Sequence, residues 1–185
     1  MPFALALLTR KMNLPKPHIF IVGFMGCGKS TVGSELASLL SRPFVDLDEA
    51  IIKVVGTTIA EIVERRGEPF FRTVETQCLQ QSIFDNPSVF ALGGGAFTLE
   101  FNRSLIARAG ISIWIDAPFE LCWGRIQQDA KVRPLAPDHS QASQLYESRK
   151  PIYELADLQF PVSGEVAPEN LAQQIVHQLQ DFHAR

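Results

Sequence analysis

Five short apolar runs, at residues 19–22, 43–45, 88–92, 111–115 and 158–162, punctuate the chain, and the segments between them have helical length and helical spacing of apolar positions. That alternation predicts an α/β fold, a five-stranded parallel sheet with helices on both faces. Residues 31–40 set Val32, Leu36, Leu39 and Leu40 on one helical face. The last helix, 168–182, does the same with Leu171, Ile175, Val176 and Leu179 and is expected to pack on the sheet. Between the second and third runs lies a longer insertion with helices predicted over 50–55, 58–66 and 68–84. A polar, proline-bearing stretch, 129–140, sits between two helices and reads as a mobile cover.

The chain has 185 residues, 46% of them hydrophobic, enough for one filled core, so a single domain over 18–185 is expected. A net charge of −3 excludes the broad basic field that nucleic acid or an acidic membrane would need. Cys27, Cys78 and Cys122 are odd in number and widely spaced, which fits neither a disulfide framework nor a zinc site and points to a reducing cytoplasm. Residues 1–17 hold an apolar run at 3–8 that is too short to span a membrane and has no basic segment before it. They are expected to be a disordered extension, with Met12 as an alternative start. Without a coiled-coil seam or an extra arm, a monomer is the expectation.

Composition leaves the chemistry open; residues 23–30 narrow it. They read Gly-Phe-Met-Gly-Cys-Gly-Lys-Ser, the pattern G-x-x-x-x-G-K-[ST], placed directly after the first strand and before the first helix. Glycines in such a loop let successive N–H groups turn inward around phosphate oxygens. Lys29 is then expected to reach the β and γ phosphates of a nucleotide, and the Ser30 hydroxyl to hold Mg²⁺. Cys27 reads as a small filler within the loop.

Phosphoryl transfer asks for positioned carboxylates and cations. Asp46 and Asp48 close the second predicted strand, two apart and so on one side of it if the strand continues; one would serve the metal and the other a substrate hydroxyl, unless either simply caps the next helix. Arg72 has Glu75 one helical turn on, a pairing that would ready it for a second carboxylate. Gly93, Gly94 and Gly95 follow the third strand and permit close backbone approach to a ligand. Arg149 precedes Pro151, which is expected to break or kink its helix. Phe70 and Phe71 read as core or pocket wall.

Taken together these motifs resemble the shikimate kinase family over about residues 18–182: the phosphate loop with Thr31, the F-x-D-x-D element ending at Asp48, Phe71-Arg72 with Glu75, the three glycines, R-P-L from Arg133, and R-x-P-x-Y from Arg149 to Tyr153. The resemblance implies a three-layer α/β/α P-loop kinase fold with a helical acceptor-binding insertion at about 48–84 and a short lid at about 129–140. It implies ATP-dependent phosphorylation of the 3-hydroxyl of shikimate, with ATP as co-substrate and Mg²⁺ as cofactor. Asp48, Arg72, Arg149 and Gly93, Gly94 and Gly95 would hold shikimate, with Glu75 steadying Arg72. Gly26, Cys27, Gly28, Lys29, Ser30 and Thr31 would hold the nucleotide phosphates, Ser30 and Asp46 the metal. Arg125 would stack on adenine and Arg133 would close over the γ-phosphate, joining Lys29 and Asp48 in catalysis. The chain departs from the family pattern in a segment from Arg125 to Arg133 one residue longer and in 160–168, which lacks a threonine-aspartate pair. Another small P-loop kinase, of gluconate or a nucleoside monophosphate, and a catalytically silent nucleotide-binding relative are the competing readings.

Overall fold

The computed structural model describes residues 17–129, 135–164 and 166–183. Five strands, β1 (His18–Val22), β2 (Phe44–Asp46), β3 (Val89–Ala91), β4 (Gly110–Asp116) and β5 (Leu158–Pro161), pair in parallel in the order β2-β3-β1-β4-β5. Among the described residues, seven helices accompany the sheet: α1 (Lys29–Leu40), α2 (Leu47–Val55), α3 (Ile59–Ser82), α4 (Glu100–Ala109), α5 (Phe119–Gln128), α6 (His139–Tyr153) and α7 (Pro168–His183). The connection from β1 to β2 crosses the sheet in one direction, and those from β3 to β4 and β4 to β5 cross in the other. Right-handed crossovers then put α1 on the opposite face from α4 and α5. The direction reverses at β1, and the crevice outside the carboxyl ends of β1 and β3 is where such a sheet binds ligands.

The core is built on the central strands. Phe20 and Ile21 of β1, Phe90 of β3 and Ile113 and Ile115 of β4 have no exposed surface, and the Phe20 and Phe90 rings stack with centroids 5.0 Å apart. Helix starts follow local chemistry. Asp46 caps α2, its side chain accepting from the Asp48 and Glu49 amides. Thr58 and Glu61 form a reciprocal capping box at the start of α3. The two helices predicted over 58–66 and 68–84 meet, as expected, at Gly67, whose backbone (φ 81°, ψ 162°) is not helical and which lies two residues before Pro69, a residue with no N–H to give the helical ladder; α3 takes in both segments.

Several expectations need correction. The second strand ends at Asp46, so Asp48 stands in the first turn of α2 and not on a strand; the cap at Asp46 starts the helix there. Leu39 is 50% exposed, because the buried stripe of α1 runs through Val32, Gly33, Leu36 and Ala37. Helix α7 buries Leu171, Ile175 and Leu179 in the same core cluster as the strand residues and runs beside α1. Pro151 does not break α6, which runs two residues past it to Tyr153. Residues 1–16, including Met12, and Ala130 to Pro134, including Lys131 and the expected lid residue Arg133, lie outside the described residues. No described helix is long and apolar enough to cross a membrane.

His18 opens β1 with no exposed surface. Its Nδ1 accepts from the Ser88 amide at 3.0 Å, which leaves Nε2 to donate to the Ile83 carbonyl at 3.2 Å. Burial lowers its pKa below the ordinary 6.5, and Arg42 adds to that against the Ile83 bond and Asp85. The unfolded chain therefore binds a proton at this site before the folded one does. Stability from His18 is complete above about pH 6.5 and declines as pH falls from there toward the lowered folded value. Urea unfolding at pH 7.5 and 5.5 should show the loss, and His18→Gln should shrink the difference between the two midpoints; an unchanged difference would contradict this reading.

Candidate active site

The loop between β1 and α1 turns through Gly26 (φ 77°) and Gly28 (φ 101°), left-handed angles that L side chains rarely adopt. Gly28 is also the N-cap of α1, with no side-chain cap and no acidic residue in the first turn. The amides at that helix start, with the positive end of the dipole, therefore suit an anion. The Lys29 ammonium lies back across the loop, donating to the Gly23 carbonyl at 3.1 Å and the Phe24 carbonyl at 2.8 Å. Arg125 on α5 reaches the same loop, where its Nη1 donates to the Gly26 and Cys27 carbonyls at 3.3 and 3.4 Å.

These residues line a cleft of about 770 Å³ together with Ser30, Thr31, Asp46 and, at its far end, Val162, Val166, Pro168 and Leu171. Ser30 Oγ donates to Asp46 Oδ2 at 2.6 Å, while Asp46 Oδ1 accepts from the Asp48 amide at 3.0 Å. The two roles weighed for Asp46, cap and cleft ligand, thus fall to different oxygens of one carboxylate. A hydroxyl beside a carboxylate is a donor set of hard oxygens, suited to Mg²⁺, which takes few protein ligands and fills its octahedron with phosphate and water. Among the described residues no group of three His, Cys, Asp or Glu side chains could hold a metal by itself.

A second cleft, about 480 Å³, opens on the other side of Asp48. It takes a polar floor from Asp48, Arg72, Glu75, Arg149 and Gly93 to Gly95, and an apolar wall from Ile52 of α2 and Ile59, Val63 and Phe71 of α3. Phe71 is buried there, as expected of a pocket wall, and Phe70 packs against the core from a half-buried position. Met25, Asp48, Gly93 and Gly94 line both clefts, so the two meet at this point.

Arg72 is held on two sides, Nη1 donating to Glu75 Oε2 at 2.8 Å and Nε and Nη2 to Glu68 Oε1 at 3.1 and 3.0 Å. Its guanidinium lies so close over Gly95 that a side chain there would run into it. A Cβ on Gly93 would stand 2.7 Å from Glu75 Oε1 and 2.8 Å from Asp48 Oδ1. Glu75 is wholly buried, and its Oε1 has no hydrogen-bond partner. Burial raises the Glu75 pKa above the usual carboxylate range and Asp48 adds to the rise, both opposed by Arg72. Burial would lower the Arg72 pKa, but Glu75 and Glu68 outweigh it and the net shift is upward. Arg149, 7% exposed, has its pKa lowered by burial, yet an arginine remains a cation there.

Every described residue expected from sequence to hold substrate, nucleotide or metal therefore lines one cleft or the other. Sequence reasoning passed over Glu68, Met25 and the aliphatic wall of α2 and α3, and gave Tyr153 no role. Glu68 was within reach of the pattern, four residues before Arg72 on one helical face. Tyr153 likewise stands one turn beyond Arg149.

A model of the family described as shikimate kinase matches residues 25–180. The chain is 43% identical over 160 residues to a shikimate kinase of Cereibacter sphaeroides, covering 85% of this chain and 79% of the relative. To one of a Synechococcus species it is 41% identical, covering 85% and 84%. Among solved structures, a shikimate kinase from Acinetobacter baumannii in complex with shikimate superposes with a TM-score of 0.86 at 36% identity, covering 92% of this chain and 97% of the other. A deoxyadenosine kinase from M. mycoides, at 14% identity and a TM-score of 0.58, shares the fold alone.

Removing the inner carboxylate tests how the Arg72 cluster is held. Glu75→Ala strips a buried partner from Arg72, which keeps only the half-exposed Glu68, and should lower unfolding stability by about 1–3 kcal/mol. Glu75→Gln, which keeps shape and an acceptor oxygen, should lose less. Equal losses in urea titrations of the two variants would show that the ion pair contributes nothing beyond packing.

Proposed function

The chain belongs to the shikimate kinase family, and on that footing we propose that it transfers the γ-phosphoryl group of ATP to the 3-hydroxyl of shikimate, giving shikimate 3-phosphate and ADP. The observation that carries the reading is the meeting of the two clefts at Asp48, Gly93 and Gly94, with a phosphate loop on one side and two arginines on the other. An anionic polyol fits the second cleft by chemistry. Its carboxylate goes to Arg72 and Arg149, whose planar forks suit bidentate pairing. Its ring hydroxyls go to Asp48 and to the amides of the Gly93 to Gly95 strip.

The nucleotide takes the larger cleft. Its phosphates accept from the amides of residues 26–31, and Lys29 exchanges the Gly23 and Phe24 carbonyls for phosphate oxygens. Arg125 lies on the path from the loop to the apolar far end, where a purine would rest. Ser30 and Asp46 would hold Mg²⁺, which would supply neutralising charge to the phosphates. Asp48 orients the attacking hydroxyl and takes its proton at a carboxylate oxygen. A loose transition state makes positioning by Asp48 more valuable than its basicity. Arg133, outside the described residues, is assigned by the family pattern to close over the γ-phosphate. The setting we infer is the cytoplasm, in keeping with three buried, unpaired cysteines.

ADP release from Mg·ATP should appear with shikimate and not with gluconate, cytidine monophosphate or no acceptor. Asp48→Asn should lower kcat by about 10²–10⁴-fold. Arg149→Ala should raise the shikimate KM by about 10- to 100-fold through loss of a charge-assisted pair while leaving the ATP KM within about twofold. Equal slow ATPase in every tube, or an Arg149 variant that loses ATP and keeps shikimate, would sink this division of the site.

A further inference from the structure

Tyr153 is 1% exposed and lies at the end of α6, one helical turn beyond Arg149. Its hydroxyl donates to the Gly94 carbonyl. The Arg149 guanidinium is within hydrogen-bonding reach of the same oxygen. A phenol has one proton to give, and here Gly94 receives it, so toward Arg149 the oxygen can only accept. The polarity of the chain is therefore fixed: guanidinium to phenol to peptide carbonyl. Burial keeps the phenol neutral well above its ordinary pKa, so it keeps both roles across any working pH.

Gly94 is the wall shared by both clefts. A Cβ placed on it would meet Arg149 Nη1 at 3.3 Å on one side and Met25 N and Gly23 O of the phosphate loop at 3.6 and 3.7 Å on the other. The Tyr153 ring packs on Trp114 of β4, with centroids 6.2 Å apart, and Trp114 pairs with Val22, the residue before the loop. Arg149 has no carboxylate clamping it as Glu75 and Glu68 clamp Arg72 in the hydrogen bonds of the described residues. The Tyr153 oxygen is the side-chain hydrogen-bond partner of Arg149 on its side of the cleft, with Glu68 acting on the Arg149 charge as well.

We propose that Tyr153 is a positioning residue for the acceptor: by accepting from Arg149 and donating to the Gly94 carbonyl, it sets the carboxylate-binding guanidinium and the glycine wall in one fixed relation. The proposal rests on the acceptor reading above and adds to it a residue that touches neither substrate. Tyr153→Phe keeps the ring, its packing on Trp114 and the core volume, and removes only the hydroxyl. Shikimate KM should rise and shikimate affinity by calorimetry should fall about 5- to 20-fold, while ATP KM stays close to wild type; loss of a buried hydroxyl lowers the thermal midpoint somewhat on either reading, so the ratio of the two KM values decides. A merely structural tyrosine would leave that ratio unmoved, and that outcome overturns the proposal. So does a variant in which both KM values rise together, since the effect would then not be directed through Arg149. A wild-type protein that ignored shikimate would overturn the acceptor reading and this inference with it; an unchanged shikimate KM in a wild type that uses shikimate would overturn this inference alone.

Discussion

Three residues without side chains at the carboxyl end of β3 set the dimensions of the whole site. Glu75 and Asp48 close to within a Cβ's reach over Gly93, Arg72 lies flat on Gly95, and Arg149 approaches Gly94. A side chain on Gly93 or Gly95 would push Glu75, Asp48 or Arg72 aside, and one on Gly94 would press on Arg149, so the polar contacts that organise the second cleft depend on the strip being bare. The strand order brings the same strip beside the phosphate loop, because β3 pairs directly with β1. The glycines thus serve as the common floor on which a helix-borne cation cluster and a loop-borne anion site come into contact.

The charges around that floor form an uneven set. Arg72 faces two carboxylates, one wholly buried and one half exposed, while Arg149 faces a phenol. Desolvation works against every one of these ions, and the pairing offsets it unequally. Arg72 emerges with its charge reinforced, Glu75 with its proton affinity raised and Arg149 with its charge least compensated. On the proposed acceptor reading, an incoming carboxylate would meet the less compensated cation at Arg149 and a more nearly satisfied one at Arg72.

The strands, the phosphate loop and the polar residues of both clefts were legible in the chain because each rests on local rules. Apolar runs bounded by turns mark the strands, and G-x-x-x-x-G-K-[ST] between a strand and a helix has few other uses. What depended on three dimensions was not. The order β2-β3-β1-β4-β5 has no signature in any single segment. Asp48 was read from a strand continuing past Asp46, whereas the Asp46 carboxylate ends that strand by capping α2. Leu39 shares the helical spacing of Val32 and Leu36 yet is half exposed, because spacing alone does not say how wide the buried stripe is. The role of Tyr153 lay hidden because its partner is a backbone carbonyl 59 residues away, which no side-chain pattern records.

The double membership of Gly94 in both clefts also bears on how such a protein can change over generations. The apolar wall at Ile52, Ile59 and Val63 touches only the acceptor side, and Val162, Val166 and Leu171 touch only the nucleotide side. Each set is free to drift, and to be selected, without disturbing the other half of the reaction. Met25, Asp48, Gly93 and Gly94 have no such freedom, since a substitution there is felt by both ligands at once. Divergence toward a new acceptor would accordingly begin in the α2–α3 insertion, and the junction would be the last part of the molecule to change.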